Sequence, residues 1–333
     1  MTPQPFVSVI IPTYNRCHLL PLTLDSLLAQ SYPRDCYEII ISDNNSTDGT
    51  NAIISDYSSR HPIIKSITEP RQGVHYARNS AAKIAKGEIL YFTDDDMIAD
   101  RFLIEEITKV FNLDQQIGSA TGRIIGKFDT PPPKWVTRYL TNRYLSLTES
   151  NKAEDDIIIS RNDLVYSCHE AVKRDVFFLC GGFNPENTAG VWIGDGETGL
   201  GIRMKQAGFK FAYTSKSVIH HLIPSSRTTL RYLVKRFGNQ GYCDSYTEYR
   251  SHRSRNRILG DIVRRNTVGL VRTLSKSMAK IIIGRESWHF LPAWLYYLYS
   301  RNRYDLSLYR NNEFRRLVEI DDWLRDDVPA KGT

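Results

Sequence analysis

Long apolar runs are missing from this chain of 333 residues. The most membrane-like stretch, 287–300, has only 14 residues and is interrupted by His289 and Pro292. A helix that crosses a bilayer needs about 20 apolar residues. The first six residues include no Lys or Arg, so we expect neither a signal peptide nor a membrane-spanning helix.

Cysteine is sparse, and its spacing excludes two classes of site. The five cysteines lie far apart, at Cys17, Cys36, Cys168, Cys180 and Cys243. They form no Cys-x-x-Cys pair of the kind that binds zinc, and they lack the density of a disulfide framework. We therefore expect a protein of the reducing cytoplasm.

Two common phosphate-binding motifs are also missing. No Gly-x-Gly-x-x-Gly follows the first predicted strand, and the chain has no Gly-x-x-x-x-Gly-Lys-Ser/Thr. This excludes a dinucleotide-binding fingerprint and a P-loop. If the protein binds a nucleotide, a metal ion must therefore neutralise the phosphates.

Charge is distributed unevenly along a chain of otherwise globular composition, with 41% apolar and 24% charged residues. Residues 1–224 have 23 Lys/Arg and 26 Asp/Glu, a net charge of −3. Residues 225–333 have 21 Lys/Arg and 11 Asp/Glu, a net charge of +10. Because the apolar spacing is also helical from about 227 onward, we expect a domain boundary near residue 225.

The basic tail is interleaved with aromatic residues, namely Trp288, Trp294, Tyr296, Tyr297 and Tyr299. Such a segment suits helices that lie on an anionic membrane surface. It also suits a helical cap whose aromatic side chains pack on the rest of the protein, and these two interpretations stay open. Nucleic acid is not an expected partner, because the tail contains no recognised nucleic-acid-binding module.

Strand and helix patterns alternate in the first part of the chain. Strands are predicted at 7–11, 38–42, 63–67 and 89–92, and helices at 19–28, 48–57 and 73–86. This alternation predicts an α/β fold with a mostly parallel sheet and helices on both faces. Further strands are predicted at 117–125, near Phe211 and at 217–219, and a further helix at 198–207.

Polar residues follow the first two predicted strands, where ligands bind in open parallel sheets. Pro12, Thr13 and Tyr14 end the first strand and offer a ring for stacking. Asp43 ends the second strand, where its carboxylate can accept a hydrogen bond from a base or a ribose hydroxyl. The residues after Asn44 also suit the capping of the next helix.

Three successive aspartates, Asp94, Asp95 and Asp96, follow the fourth predicted strand. Adjacent carboxylates repel one another, so a divalent cation is the simplest explanation for their place at a sheet edge. In extended geometry Asp94 and Asp96 would point to one face and Asp95 to the other. The alternative is a solvated N-terminus of the next helix, near Asp100.

Taken in order, several segments resemble the family 2 glycosyltransferases, which have the GT-A fold. The resemblance covers roughly residues 6–224 and is carried by segments 7–16, 38–50, 73–79, 87–96, 181–183 and 194–203. It implies inverting transfer of a sugar from a nucleoside diphosphate donor to an acceptor hydroxyl, with Mn²⁺ or Mg²⁺ as cofactor. By position, it implies that the nucleotide sugar is held by Pro12, Thr13, Tyr14, Asp43, Arg78, Asp94 and Asp95.

The resemblance also implies a metal site and a general base. Asp96 would bind the metal, together with a histidine of the segment 218–224, either His221 or His220. The base of the family is an acid shortly before a Leu-x-x-Arg stretch, usually in a Glu-Asp pair. Here Asp195-Gly196-Glu197 stands in its place, and counting back from Arg203 favours Glu197 over Asp195. Both acids also suit the N-terminus of a helix without any catalytic role.

The expected setting follows from the same resemblance. We expect a UDP-sugar donor and a sugar or lipid-linked acceptor in surface polysaccharide or glycolipid synthesis, with specificity set by segment 127–165 and the tail. Trp192 suits either stacking on an acceptor sugar or core packing.

The competing hypothesis is a non-catalytic nucleotide-sugar-binding protein, which the irregular Asp195-Gly196-Glu197 motif permits. A nucleotidyltransferase would need a Gly/Arg/Lys-rich phosphate loop early in the chain, and residues 12–20 do not form one.

Overall fold

Strands and helices alternate through the first part of the structure, a computed structural model that describes residues 4–140, 142–148, 157–161, 166–188 and 190–325. The strands are β1 (Val7–Thr13), β2 (Tyr37–Asp43), β3 (Ile64–Thr68), β4 (Ile89–Thr93), β5 (Met97–Ala99), β6 (Ile117–Phe128), β7 (Ile157–Ser160), β8 (His169–Lys173), β9 (Asn187–Thr188), β10 (Val191–Trp192) and β11 (Lys210–Ile223). The helices are α1 (Leu20–Leu28), α2 (Thr50–Arg60), α3 (Val74–Ile84), α4 (Leu103–Lys109), α5 (Lys134–Tyr139), α6 (Asn142–Leu145), α7 (Arg174–Leu179), α8 (Glu197–Gln206), α9 (Leu230–His252), α10 (Arg255–Arg264), α11 (Leu270–Ile282), α12 (Phe290–Arg310) and α13 (Asn312–Val318). Parts of the predicted specificity segment, 141, 149–156 and 162–165, lie outside the described residues.

One large sheet organises the chain, with the strand order β3-β2-β1-β4-β8-β6-β11-β5 and β7 paired to β11. β1 to β4 pair in parallel, as predicted. The second half is mixed, because β8 runs antiparallel between β4 and β6, and β5 and β7 run antiparallel to β11. The α/β class is confirmed, whereas a mostly parallel sheet describes only its first half.

Apolar side chains cover both faces of the first strands. In β1, Val9 and Ile11 pack into the core on one face, and Ile10 packs into a second core on the other face. β2 repeats the pattern, with Ile39 on the first face and Ile40 on the second. Continuous β-branched runs of this kind are typical of strands buried between two layers of helices.

A bulge interrupts β11 between Thr214 and Val218, where its parallel register with β6 shifts. The two short strands predicted near Phe211 and at 217–219 are therefore one long strand. After the bulge, β11 runs between β6 and β5, with His221 opposite Met97. The strand thus carries a histidine to the sheet edge where the three aspartates lie.

The C-terminal helices share a core with the sheet. Leu233 and Phe237 of α9 and Phe290 of α12 belong to the same buried cluster as the strand residues. α9 and α12 approach closely, since a Cβ at Gly241 would lie 2.5 Å from the Tyr297 carbonyl oxygen. Residues 225–325 are mainly helical, and a separate domain from 225 stays a prediction. Among the described residues, no helix has the length and hydropathy needed to cross a bilayer.

Candidate active site

The loops after β1 and β2 are joined by hydrogen bonds, and this fixes the first wall of a cavity of about 410 Å³. Asn15 accepts a hydrogen bond from the Thr47 N–H at 2.7 Å and donates its own N–H to Ser46 Oγ at 2.9 Å. Asn15 has a φ of 54°, a backbone conformation that Asn tolerates well. The Tyr14 ring is 46% exposed, which leaves it free to stack on a ligand.

The structure brings most of the predicted nucleotide-binding residues to this cavity. Those that line it are Pro12, Thr13, Tyr14, Asp94 and Asp95, and Asp96, the predicted metal ligand, lines it too. Arg78 is buried and contacts Asp94 from behind the cavity wall. Asp43 is buried behind the cavity wall, where its carboxylate accepts hydrogen bonds from the Ser46 N–H. Asn44 lines the cavity in its place and holds the loop before α3 by accepting the Gly73 N–H at 2.7 Å. A direct role of Asp43 in binding stays a prediction.

The three aspartates line the same cavity, and each has its own cationic or polar partner. Asp94 accepts a hydrogen bond from Arg78, and Asp95 Oδ1 lies 3.3 Å from Arg16 Nε. Burial, followed by the charge of Asp96, raises the pKa of Asp95 to about 7. The expected alternation of the three side chains is wrong, because Asp95 and Asp96 lie in a turn after β4 rather than in an extended strand.

Asp96 and His221 form a pocket that is chemically suited to a divalent cation. His221 Nδ1 donates to the Leu145 carbonyl oxygen at 3.0 Å, so Nε2 carries the lone pair that faces Asp96 Oδ2 at 3.8 Å. Burial lowers the pKa of His221 and keeps its ring neutral. Asp96 Oδ1 is buried and accepts no hydrogen bond from any described residue. An imidazole and an unpartnered carboxylate oxygen are ligands that Mn²⁺ accepts.

Arg227 occupies the space beside this pair. Its Nη1 donates to His221 Nε2 at 2.5 Å, and its Nη2 donates to Asp96 Oδ2 at 3.0 Å. The guanidinium group therefore already neutralises Asp96. A cation that bound here would have to displace Arg227 from Asp96, from His221 or from both. His220 points to the opposite face of β11, since adjacent residues of a strand alternate and His221 is the buried one.

Glu197 is the accessible acid of the predicted motif and begins α8. Its carboxylate is 26% exposed, and its Oε2 lies 3.8 Å from His75 Nε2. His75 is buried, which is the main cause of a pKa well below its ordinary value, and its Nδ1 lies 3.4 Å from Arg78 Nη1. Since Arg78 also binds Asp94, which lines the cavity, a continuous series of neighbouring side chains connects this cavity to Glu197.

Asp195, the alternative base, is only 2% exposed and has a full set of partners. Its Oδ1 accepts from Asn184 Nδ2 at 2.7 Å, and its Oδ2 accepts from Thr247 Oγ1 on α9 at 2.9 Å. Arg203, the arginine of the Leu-x-x-Arg stretch, donates to Asn184 Oδ1 at 3.0 Å. The geometry therefore gives Asp195 a packing role between α8 and α9, and leaves Glu197 as the acid that a substrate could reach.

We expect Asp195→Ala to destabilise the fold. The substitution leaves the buried Asn184 amide N–H without the Asp195 acceptor, whereas the Thr247 hydroxyl keeps the Cys243 carbonyl oxygen at 3.1 Å. Loss of the Asn184 acceptor costs about 1–3 kcal/mol of unfolding free energy. Urea denaturation followed by tryptophan fluorescence measures the change. Glu197→Ala is the control and should unfold at the wild-type urea concentration, because its side chain is partly exposed. Equal midpoints for Asp195→Ala and the wild type would contradict this packing role.

Four residues near the site were not predicted from the sequence, namely Arg16, Glu186, Arg227 and Arg236. Arg227 had a detectable signal, since it is a cation shortly after the histidine segment. Glu186 and Arg236 had none, because the first lies in an irregular connection and the second on α9, and only the tertiary fold brings both close to Glu197.

Comparison with known proteins identifies the family and the fold of the chain. A family model described as glycosyl transferase family 2 matches residues 8–177. The chain is similar to glycosyltransferase AglE of Haloferax volcanii, with 30% identity over 173 residues, which are 52% of this chain and 54% of AglE. It is also similar to the O-antigen chain rhamnosyltransferase RfbN of Salmonella typhimurium, with 29% identity over 217 residues, 65% of this chain and 66% of RfbN.

A third relative is the poly(ribitol-phosphate) beta-glucosyltransferase of Bacillus spizizenii, 30% identical over 183 residues that cover 52% of this chain and 28% of that protein. The chain thus spans about half or less of the length of the first curated relatives. Among solved structures, a mannosyltransferase from Pyrobaculum calidifontis in complex with GDP-Man and Mn²⁺ superposes with a TM-score of 0.60 at 18% identity, covering 91% of this chain and 88% of that one. This confirms the GT-A-type fold, and with the family match over half of the sequence it follows that the chain belongs to glycosyl transferase family 2.

Proposed function

We propose that this protein is an inverting glycosyltransferase that moves a sugar from a nucleoside diphosphate donor to an acceptor hydroxyl. The observation that carries the proposal is a row of four side chains in contact, Asp94, Arg78, His75 and Glu197. The row connects an aspartate of the cavity to an accessible acid. An inverting reaction needs a cavity for the donor and, on its far side, a base for the acceptor. The cavity of about 410 Å³ and the accessible Glu197 carboxylate support these two roles.

In this reaction Glu197 accepts the proton of the acceptor hydroxyl while the acceptor oxygen forms a bond to the anomeric carbon of the sugar. The bond from that carbon to the diphosphate breaks, and the diphosphate leaves with the electron pair. Asp96 and His221 would hold Mn²⁺ or Mg²⁺, which neutralises the leaving diphosphate when it is bound. Arg16 and Arg227 line the same cavity and add positive charge near the departing group.

UDP is the donor nucleotide that the sequence resemblance favours, and the neighbour solved with GDP-Man makes GDP the first alternative. Calorimetric titration with UDP, GDP and dTDP, each with Mn²⁺, with Mg²⁺ and with a chelator, tests the proposal. We expect one nucleotide to bind in a metal-dependent manner and to identify the sugar nucleotides for a transfer assay. If no nucleotide binds under any condition, the proposal fails. Binding without transfer to any acceptor would favour the non-catalytic alternative.

A second cavity, of about 580 Å³, suits the acceptor. Gly190 lines both cavities, so the β9–β10 hairpin forms a shared wall between donor and acceptor sites. On the acceptor side, Trp192 stacks on Tyr242 with ring centroids 5.5 Å apart, and Arg303 and Arg316 also line the cavity. Aromatic rings pack against the apolar faces of sugars, and arginines bind phosphate. This combination supports a sugar or lipid-linked phosphate acceptor, as in surface polysaccharide or glycolipid synthesis.

An apolar stripe on α10 and α11 supports contact with an anionic membrane surface. Its exposed residues are Leu259, Val263, Val268, Val271, Met278 and Ile282. The π-helical turn Arg265–Gly269 lengthens the step from Val263 to Val268 to five residues, which keeps the stripe on one face. Arg272, Lys276 and Lys280 run alongside it at helical spacing. A helix of this kind binds the interface of an anionic leaflet, in this case the inner face of the plasma membrane.

We expect the double substitution Val271→Asp, Ile282→Asp to weaken binding to phosphatidylglycerol vesicles on the order of 100-fold, because two apolar side chains of the stripe no longer enter the bilayer. Vesicle flotation measures the bound fraction. Leu179→Asp changes a side chain that is 71% exposed on α7, so it is a matched control and should bind as the wild type does. Equal binding of all three proteins would show that the apolar stripe does not contact the membrane.

A further inference from the structure

The backbone at Gly196 leaves no room for a side chain in the predicted acidic motif. Gly196 has a φ of 60°, and a Cβ at this position would lie 2.5 Å from His75 Nε2 and 2.6 Å from Glu186 Oε1. The resemblance to the family places an acidic pair in this motif, and Gly196 breaks it. The space beside Glu197 is therefore filled by a carboxylate from another part of the chain.

We propose that Glu186 replaces the missing acid, pairs with the Glu197 carboxylate through one shared proton, and so positions Glu197 towards the acceptor. This inference rests on the proposed function, because it assigns Glu197 as the base. Ligand atoms of His75, Glu186 and Glu197 all lie within 4.8 Å of one another. Glu186 is a positioning residue here, since it acts through Glu197 and not on the substrate.

The backbone around Glu186 holds its side chain in this place. The Ile193 N–H donates to the Glu186 carbonyl oxygen at 2.7 Å, which anchors the residue at the base of the β9–β10 hairpin. The isolated bridge between Asn184 and Gly196 joins the same connection to the turn before α8. The two carboxylates thus come from segments that are paired to each other, so their separation is set by backbone hydrogen bonds.

The charges around Glu186 suit a single proton between the two acids. Burial, followed by the charge of Glu197, raises the pKa of Glu186 to about 7. The charges of Arg78 and Arg236 favour the ionised form of Glu186, and the charge of Asp195 opposes it. The neutral His75 ring and the Cys243 thiol also face the pair. Below about pH 7 the proton therefore resides on Glu186, where it faces the Glu197 carboxylate.

A divalent cation is the other occupant that this cluster of His75, Glu186 and Glu197 could accept. Two arginines already face the cluster, Arg236 from α9 and Arg78 from α3. Their positive charge opposes the entry of a cation. It also compensates a single negative charge, and two carboxyl groups that share one proton carry a single negative charge. The structure therefore favours the proton over a metal ion here.

Two variants separate the positioning role of Glu186 from a purely structural one. Glu186→Gln keeps a neutral hydrogen-bond donor beside Glu197, and Glu186→Ala removes it. Release of nucleoside diphosphate from UDP-glucose, GDP-mannose and dTDP-rhamnose is measured from pH 5.5 to 9. We expect Glu186→Ala to lose about 10²-fold in rate, because the base is no longer held in place. Glu186→Gln should retain most of the rate at pH 6. The wild-type rate should change around pH 7 as Glu186 loses its proton, and the rate of Glu186→Gln should not change there.

Carboxyl-carbon NMR on protein with ¹³C-labelled glutamate tests the pair without any substrate. One carboxyl signal should titrate with a midpoint near 7, as expected for Glu186. It should be absent in Glu186→Gln and present in Glu88→Gln, a change at an exposed position. Three results would each overturn the proposal. They are the absence of this signal, identical pH profiles for Glu186→Gln and the wild type, and broadening of the Glu186 signal by Mn²⁺. If the wild type transfers no sugar, the proposed function fails, and the NMR titration still decides whether the pair exists.

Discussion

Glu197→Gln is expected to lower the rate of sugar transfer by about 10²–10⁴-fold, the range that a positioned general base contributes. Glutamine has nearly the same shape as glutamate and cannot accept the proton of the acceptor hydroxyl. Because Glu197 does not line the nucleotide cavity, the affinity for the nucleotide should stay within a few-fold of the wild-type value. Steady-state kinetics and calorimetry on the same preparation measure the two quantities.

Glu197→Asp and Asp195→Asn complete this experiment. Glu197→Asp keeps a carboxylate that is one methylene shorter, so it should recover part of the lost rate. Asp195→Asn changes the buried neighbour and should reduce stability more than rate. A Glu197→Gln enzyme with the wild-type rate would remove Glu197 from the mechanism, and a large loss of rate in a stable Asp195→Asn would transfer the role of base to Asp195.

Asp96→Ala is expected to abolish the metal dependence of nucleotide binding and to weaken that binding by about 100-fold or more, because the proposed ligand that would hold the cation beside the diphosphate is removed. Binding of UDP, GDP and dTDP with and without Mn²⁺ measures the effect. Asp56→Ala is a suitable control, since it removes an aspartate that is 57% exposed on α2.

Loss of folding has to be measured separately in Asp96→Ala. Burial, followed by the charge of Asp94, raises the pKa of Asp96, so the folded state without a cation disfavours the ionised carboxylate. The substitution also removes the ion-pair partner of Arg227, 3.0 Å away, so we expect the thermal midpoint without metal to fall and compare nucleotide binding at a temperature where both proteins are folded. Metal-dependent nucleotide binding by Asp96→Ala with an unchanged affinity would show that the cation site lies elsewhere.

Local patterns predicted the first half of the fold well. The β-branched runs of β1 and β2 and the helical spacing of α1 and α3 depend on neighbouring residues, and the structure has each of them within a few residues of the predicted limits. The antiparallel position of β8 was not predictable in the same way. Its partners β4 and β6 lie far away in the sequence, and no short-range pattern specifies which strands become neighbours.

The site shows the same division between local and long-range information. Tyr14 and the aspartates after β4 were predictable because they follow strands that meet at one edge. The choice between His220 and His221 needed the register of β11, which the bulge before Val218 determines. Glu186 and Arg236 were missed because nothing in their own surroundings in the sequence marks them, and only the folded chain brings them to Glu197.

Helix α9 packs against the proposed catalytic residues, since its Thr247 donates to Asp195 and its Arg236 faces Glu186. Cutting or exchanging the chain at residue 224 would therefore separate Glu197, the proposed base, from the helix that supports its neighbours. A chimaeric enzyme made to change membrane preference should keep both α9 and α12 with the sheet, because Phe290 of α12 belongs to the same core, and should exchange only the segment of α10 and α11 between them. The replaceable part of the tail thus lies between two helices that hold the rest together, and not at the point where the net charge changes.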